Sequence, residues 1–229
     1  MIEVRNASKK YQQGTQEIYA LRDVSLNIKS GEFLSIMGSS GAGKSTLLNI
    51  MGGLDQPTSG EVFFDQKPLH KISDYELTII RRRRIGFIFQ FFNLLPMLTA
   101  AENVGLPLLV DGLPFSKVKP KAESLLQKVG LGKRTGNRPG QLSGGEMQRV
   151  AIARALIINP AVILADEPTG NLDSHAGEEI LFLLQSLSEQ NQTIVLVTHD
   201  PKAAAYGTRI ITMKDGSISD DICLSGEAS

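Results

Sequence analysis

Gly38-Ser39-Ser40-Gly41-Ala42-Gly43-Lys44-Ser45 is the stretch that leaves this chain the fewest choices. It fits G-x-x-x-x-G-K-[ST], and its flanks fit as well: Phe33 to Met37 reads as a buried strand, and Thr46 to Met51 as the start of a helix. A strand that enters a helix through such a loop makes a phosphate cradle. Its glycines remove the Cβ atoms that would hold backbone N–H groups away from a polyphosphate, and the free amides and dipole of the helix start favour negative charge. The pattern places Lys44 to reach the β- and γ-phosphates of a nucleotide and the Ser45 hydroxyl to ligate Mg2+, with Thr46 next to them. A plain glycine-rich turn would bend the chain equally well, but it needs neither a lysine nor a hydroxyl at those two places.

The 229 residues suffice for a full core and make one or two domains by length. Lys plus Arg equals Asp plus Glu at 24 each, so no overall field attracts nucleic acid or an anionic membrane, and no nucleic-acid partner is expected. Cys223 is the one cysteine, which excludes an intrachain disulfide, and His70, His175 and His199 lack metal-ligand spacing. The start, Met1-Ile2-Glu3-Val4-Arg5, has no apolar signal core, so the expected location is the cytoplasm. The longest uncharged stretch, Ile85 to Ala101, is broken by Gln90, Asn93, Pro96 and Thr99 and fails as a membrane span. Any membrane role then requires another chain.

Ile2 and Val4, then Val24, Leu26 and Ile28, alternate with polar residues as half-buried antiparallel strands do, and Glu61 to Phe64 reads as a further strand. Ser73 and Glu76 have capping-box spacing for a helix whose last turn is Arg81 to Arg84. Those arginines either meet an acidic or phosphate-bearing partner or form a solvated face at a helix C-terminus. Ile85 to Phe89 reads as a short strand delivering Gln90. The chain then becomes proline-punctuated and helical up to about Pro160, like a separate lobe, with Leu125, Leu126 and Val129 on one helix and Val150, Ile152, Ala153 and Leu156 on another. Ala161 to Ala165 and Thr193 to Val197 are continuous apolar runs, the pattern of parallel strands covered on both faces. Between them a helix carries Ile180, Leu183, Leu184 and Leu187 inward, with Glu178 and Glu179 expected in its first turn. A hairpin around Asp215-Gly216 ends the pattern.

The first of those apolar runs ends in Asp166-Glu167, at the carboxyl edge where parallel sheets bind ligands. Asp166 is placed to hold Mg2+, and Glu167 to orient and deprotonate an attacking water, unless the two simply cap the next helix. Gln90 and His199 also follow strands directly and reach the same edge, within range of a γ-phosphate. Ser143-Gly144-Gly145-Glu146 spells a capping box for the helix of Val150, but a cap requires no pair of glycines. They bare a second helix N-terminus suited to an anion.

Taken together, Tyr11, the phosphate loop, Gln90, Gln141 to Glu146, Asp166-Glu167, Asn171-Leu172-Asp173 and His199 resemble, in order and spacing, the ATP-binding cassette (ABC) ATPases. The likeness spans nearly the whole chain, and Leu142-Ser143-Gly144-Gly145 is its specific signature. The resemblance implies an α/β fold: a RecA-like P-loop core with an antiparallel β subdomain and an inserted α-helical subdomain. A single cassette over 1–229 is expected, with 1–90 and 160–229 forming the core plus β subdomain and 91–159 the helical subdomain. It also implies a head-to-tail homodimer, in which Ser143, Gly144 and Gly145 of one copy grip the γ-phosphate held by the other. On the same basis Tyr11 stacks on adenine, Gln90 senses γ-phosphate and Mg2+, His199 touches γ-phosphate, and Asp173 lies in the loop joining the sites. Met147 departs from the polar or basic residue common after the signature.

A narrower likeness runs through Gly52 to Asp55, Asn93 to Pro96, Leu98 to Val104 and Thr169 to Asp173. It points to the branch of bacterial lipoprotein-release and macrolide-efflux ATPases, and implies polytopic membrane permease subunits as partners, with the ATPase peripheral on the inner face of the membrane. Phe91, Phe92, Leu94 and Leu95 offer a docking cluster or pack the helical lobe from inside. A soluble cassette ATPase is the rival reading, but no coiled-coil insertion or second cassette is present. A metabolic kinase would leave Ser143 to Glu146 unexplained.

Overall fold

The computed structural model describes residues 1–14 and 16–224. β1 (Ile2–Gln13) and β2 (Gln16–Ile28) lead into β3 (Phe33–Met37) and α1 (Lys44–Met51), then β4 (Ser59–Phe64), the short β5 (Lys67–Pro68) and α2 (Asp74–Arg84). β6 (Ile85–Ile88) precedes three helices, α3 (Ala100–Val110), α4 (Phe115–Lys128) and α5 (Gly144–Leu156). β7 (Val162–Asp166), α6 (Ser174–Glu189), β8 (Thr193–Thr198), α7 (Pro201–Ala204), β9 (Arg209–Lys214) and β10 (Ser217–Cys223) follow.

Two sheets result. One is antiparallel, in the order β2-β1-β4-β5, and the other runs β10-β9-β3-β8-β7-β6 with only β10 antiparallel to its neighbour. The continuous apolar runs explain the second sheet, because it is covered on both faces. Along β7 and β8, Val162, Leu164, Val195 and Val197 face α1 and the antiparallel sheet, whereas Ile163, Ala165, Ile194 and Leu196 face α5 and α6. All eight are fully buried. A buried aliphatic side chain of this kind contributes about 1.5 to 3 kcal/mol. β9 and β10 close on Asp215 (φ 49°) and Gly216 (φ 82°), the two left-handed positions that a two-residue hairpin turn asks of an Asp-Gly pair.

Several local expectations change. α3 falls in the stretch expected to be helical, and its start, which the sequence reading leaves undefined, is set by Thr99, which accepts from the Glu102 amide while Glu102 accepts from Thr99. Gly105 is a packing residue, since a Cβ there would lie 2.6 Å from Val118 of α4. The apolar residues of α5 fall on two faces: Val150 and Ala153 join the core of the helical lobe, and Ile152 and Leu156 pack with the main sheet. This helix belongs to both cores. α6 begins a turn earlier than expected, capped by Asp173, so Glu178 and Glu179 lie outside its first turn and Glu179 pairs with Arg149 at 2.9 Å.

The four arginines are spent inside the chain. Arg82 and Arg83 both hold Asp111 at the end of α3, Arg84 holds Asp65 at 2.7 Å, and Arg81 donates to the carbonyl of Gly53 at 2.8 Å. Arg81 and Arg82 are half-buried and clasp α2 to its neighbours, whereas Arg83 and Arg84 remain exposed, so the last turn keeps half of the solvated face while its ion pairs are made within the chain.

Candidate nucleotide site

β3, β8, β7 and β6 are consecutive neighbours and run the same way, so their C-terminal ends meet at one edge. β3 ends in the phosphate loop, β6 leads to Gln90, β7 ends in Asp166-Glu167 and β8 leads to His199. A cavity of about 810 Å3 opens there. Its lining includes Tyr11, Ser39, Ser40, Gly41, Gly43, Lys44, Ser45, Thr46, Gln90, Asp166, Glu167 and His199. Sequence reasoning missed Ile18, Tyr19 and Ala20, which also line it from β2. Their one signal is their place on the strand beside Tyr11, which pairs with Ile18.

The loop has the shape of a cradle. Gly43 sits at φ 97°, and a Cβ on it would lie 2.3 Å from the Ala20 carbonyl oxygen, so no other residue fits this turn into α1. Gly38 and Ala42 form the back of the loop and do not line the cavity. Ala42 is buried, and its amide donates to the Ser39 carbonyl at 3.2 Å.

Lys44 is only 6% exposed. Its Nζ donates to the carbonyls of Gly38 (2.8 Å) and Ser39 (3.0 Å), and it has no carboxylate ion-pair partner among the described residues. A buried ammonium held only by neutral oxygens is favourable once an anion completes the site.

Ser45 Oγ donates to Asp166 Oδ1 at 3.0 Å. Burial pushes the Asp166 carboxyl above its ordinary value, the Ser45 hydrogen bond opposes this, the Glu167 charge adds to it and the Lys44 charge opposes it. These hard oxygens suit Mg2+, which takes few protein ligands and keeps positions for water and phosphate.

Glu167 is turned into the site by an uncommon backbone. Its φ is 47°, left-handed for a residue with a Cβ, which costs about 1 to 3 kcal/mol and is offset by its amide donating to the Val197 carbonyl at 2.9 Å. The result sets Glu167 Oε2 2.6 Å from His199 Nδ1, an imidazole N–H donating to a carboxylate. Gly170 lets the loop after Glu167 lie against Gln90, since a Cβ there would meet Gln90 Nε2 at 2.8 Å.

Ser143, Gly144 and Gly145 lie away from this cavity. Ser143 Oγ accepts from the Glu146 amide at 3.2 Å, and Glu146 accepts from the Ser143 amide at 2.8 Å, so the cap is real. The glycines also have a packing duty unseen in the sequence: a Cβ on Gly144 would lie 3.2 Å from Leu172, and one on Gly145 would lie 3.1 Å from Ala176. The Phe91 to Leu95 cluster splits as well. Phe91 (72%) and Leu95 (41%) are exposed, while Phe92 is half-buried and Leu94 packs on the helical lobe.

A lysine-bearing phosphate loop at the carboxyl edge of a parallel sheet, with two carboxylates beside it, defines a P-loop nucleotide-binding protein. The chain belongs to the ABC transporter family, whose model matches residues 21–170. It is 52% identical over 231 residues to the uncharacterized ABC transporter ATP-binding protein MJ0796 of Methanocaldococcus jannaschii, covering 99% of this chain and 98% of that protein. It is 48% identical over 221 residues to the macrolide export ATP-binding/permease protein MacB of Aggregatibacter actinomycetemcomitans, covering 96% of this chain but 34% of MacB. A dimeric post-hydrolysis structure of the MJ0796 cassette bound to ADP and Pi matches with a TM-score of 0.91 at 50% identity, over 99% of this chain and 100% of that one. The family and the RecA-like fold expected from the sequence are therefore established. Among the described residues no helix is long and apolar enough to cross a membrane.

Proposed function

We propose that this chain is the ATP-hydrolysing subunit of an ABC transporter that closes on ATP as a head-to-tail homodimer and drives polytopic permease subunits in export, lipoprotein release or efflux. The observation that carries the reading is the buried Lys44 ammonium, which faces two carbonyls and has no carboxylate partner among the described residues, at the same sheet edge as Glu167. In this reading the amides of Gly41 to Thr46 and the Lys44 charge hold the phosphates. Ser45, Asp166 and Gln90 would hold Mg2+, which when bound would neutralise charge on the phosphate oxygens. Glu167 takes the proton of the attacking water, and His199 both steadies that carboxylate and reaches the γ-phosphate. Tyr11 carries the adenine.

The placement of Ser143, Gly144 and Gly145 outside the chain's own cavity supports their acting on a second copy, and the MJ0796 cassette has been solved as a dimer. MacB, whose name joins ATP-binding and permease functions, supports a membrane partner and a location on the cytoplasmic face of the membrane. Purification of the tagged chain from native membranes tests the reading. A polytopic permease that stimulates ATP hydrolysis is the expected companion, and ribosomes or DNA in its place would overturn transport.

Two variants probe the edges of the site. Tyr11→Ala is expected to raise KM for ATP by about 5- to 150-fold, the loss of about 1 to 3 kcal/mol of base stacking, with far less change in kcat. A loss confined to kcat would contradict the assignment. Phe91→Ser removes an exposed ring beside Gln90, so the isolated chain's hydrolysis should persist while stimulation by the permease falls. An unfolded or aggregated variant would instead place Phe91 in the core.

A further inference from the structure

The ring of Tyr11 is held through its hydroxyl by the chain itself. Its hydroxyl donates to Asp55 Oδ2 at 2.7 Å. The other carboxylate oxygen of Asp55 accepts from Lys9 Nζ at 2.6 Å and from the Gln56 amide at 2.7 Å. Lys9 Nζ also donates to the Gln56 carbonyl at 2.7 Å and lies 5.0 Å from the centroid of the Tyr11 ring. Tyr11 is thus fastened at its hydroxyl and covered by a cation on one face.

Asp55 stands at the far end of α1. The amides of Leu54 and Asp55 both donate to the Asn49 carbonyl, at 2.8 and 3.3 Å, which fixes Asp55 to the last turn of that helix. The first turn of the same helix carries Lys44 and Ser45. The Tyr11 hydroxyl also lies beside Thr46 in that first turn, so the ring is seated along α1, with the cradle at one end of the helix and Asp55 at the other. Burial would raise the Asp55 pKa, but the hydrogen bonds from Lys9, Tyr11 and the Gln56 amide outweigh it and hold the carboxyl below its ordinary value.

We infer that Asp55 is a positioning residue for the nucleotide base: it sets the Tyr11 ring at a fixed distance from the phosphate cradle, with Lys9 backing one face and the other left for the base. The inference rests on Tyr11 being the base platform. It assigns the hydroxyl to Asp55, so Tyr11 serves the base through its face and not through a hydrogen bond. Without the anchor, the ring must be ordered when the nucleotide arrives, and immobilising one such side chain weakens binding by about 2- to 10-fold.

The test compares equilibrium affinities for ATP and for inorganic tripolyphosphate, which shares the cradle but has no base. Asp55→Ala and Tyr11→Phe are each expected to weaken ATP by about 2- to 10-fold and to leave tripolyphosphate unchanged. The double variant should be no worse than either single one, because both remove the same bond. Equal losses for ATP and tripolyphosphate in Asp55→Ala would make Asp55 a support of α1 and overturn the inference, as would wild-type ATP affinity in both single variants. Wild-type ATP affinity in Tyr11→Ala would instead overturn the platform itself, so the two failures are distinguishable.

Discussion

Glu167→Gln is expected to bind ATP and scarcely turn it over. The substitution preserves the shape of the side chain and leaves Lys44, Ser45 and the loop untouched, so nucleotide affinity should be retained. The amide cannot accept the proton of the attacking water, and it also exchanges the 2.6 Å carboxylate contact with His199 for a neutral one. Loss of a positioned general base costs about 100- to 10,000-fold in rate. In the proposed cycle hydrolysis reopens the pair of cassettes, so the variant should accumulate as an ATP-bound dimer, visible by size-exclusion chromatography. Steady-state hydrolysis near the normal rate would remove Glu167 from the mechanism.

A mixing experiment asks whether each site is shared between two chains. Lys44→Ala removes the buried charge that meets the phosphates, and Ser143→Arg places bulk at the start of α5, where the signature must approach the other copy. Each variant alone forms a homodimer with two broken sites. In the heterodimer, the intact phosphate loop of the Ser143→Arg chain meets the intact signature of the Lys44→Ala chain, and one site is whole. Single-turnover phosphate release should return in the mixture. Removing one preorganised donor costs about 2.7 to 4 kcal/mol, a factor of roughly 100 to 1,000, so recovery of one site should stand well above either parent. No recovery, with heterodimers shown to form, would leave Ser143 as the cap of α5 and nothing more.

What was readable in advance was chiefly what is encoded by neighbours in the chain. The phosphate loop, the Ser73 and Ser143 caps and the Asp215-Gly216 turn each state their conformation within a few residues. β7 and β8 are readable because burial on both faces leaves no polar residue from Val162 to Ala165 or from Ile194 to Val197. α3 is legible only as part of a helical stretch, because Gly105 and Pro107 interrupt its own pattern and the reason for Gly105 is its packing on Val118 of α4. The edge residues Ile18, Tyr19 and Ala20 escaped because they enter the site through strand pairing, and β1 and β2 pair with several shifts of register. Phe91 and Phe92 part company because Phe92 and Asn93 both take left-handed φ, 57° and 49°, which turns adjacent side chains away from each other. The glycines at 144 and 145 hid a second duty, because their neighbours Leu172 and Ala176 approach only in the folded chain.

The order of strands in the parallel sheet bears on how the molecule is made. β3 carries the phosphate loop and leaves the ribosome early, yet its sheet partners among the described residues are β8 and β9, which begin at Thr193 and Arg209. At about 5 to 20 residues per second, the wait between Met37 and Thr193 lasts roughly 8 to 30 seconds. During that interval Phe33 to Met37 is an apolar strand with no sheet to join, and the nascent chain is most open to mispairing with other strands. The contacts between Ser45 and Asp166 and between Glu167 and His199 complete only when the late strands arrive. The half of the site made by Asp166, Glu167 and His199 is therefore set beside the phosphate loop only in the finished sheet, and a nucleotide that needs both halves would stabilise that sheet by mass action.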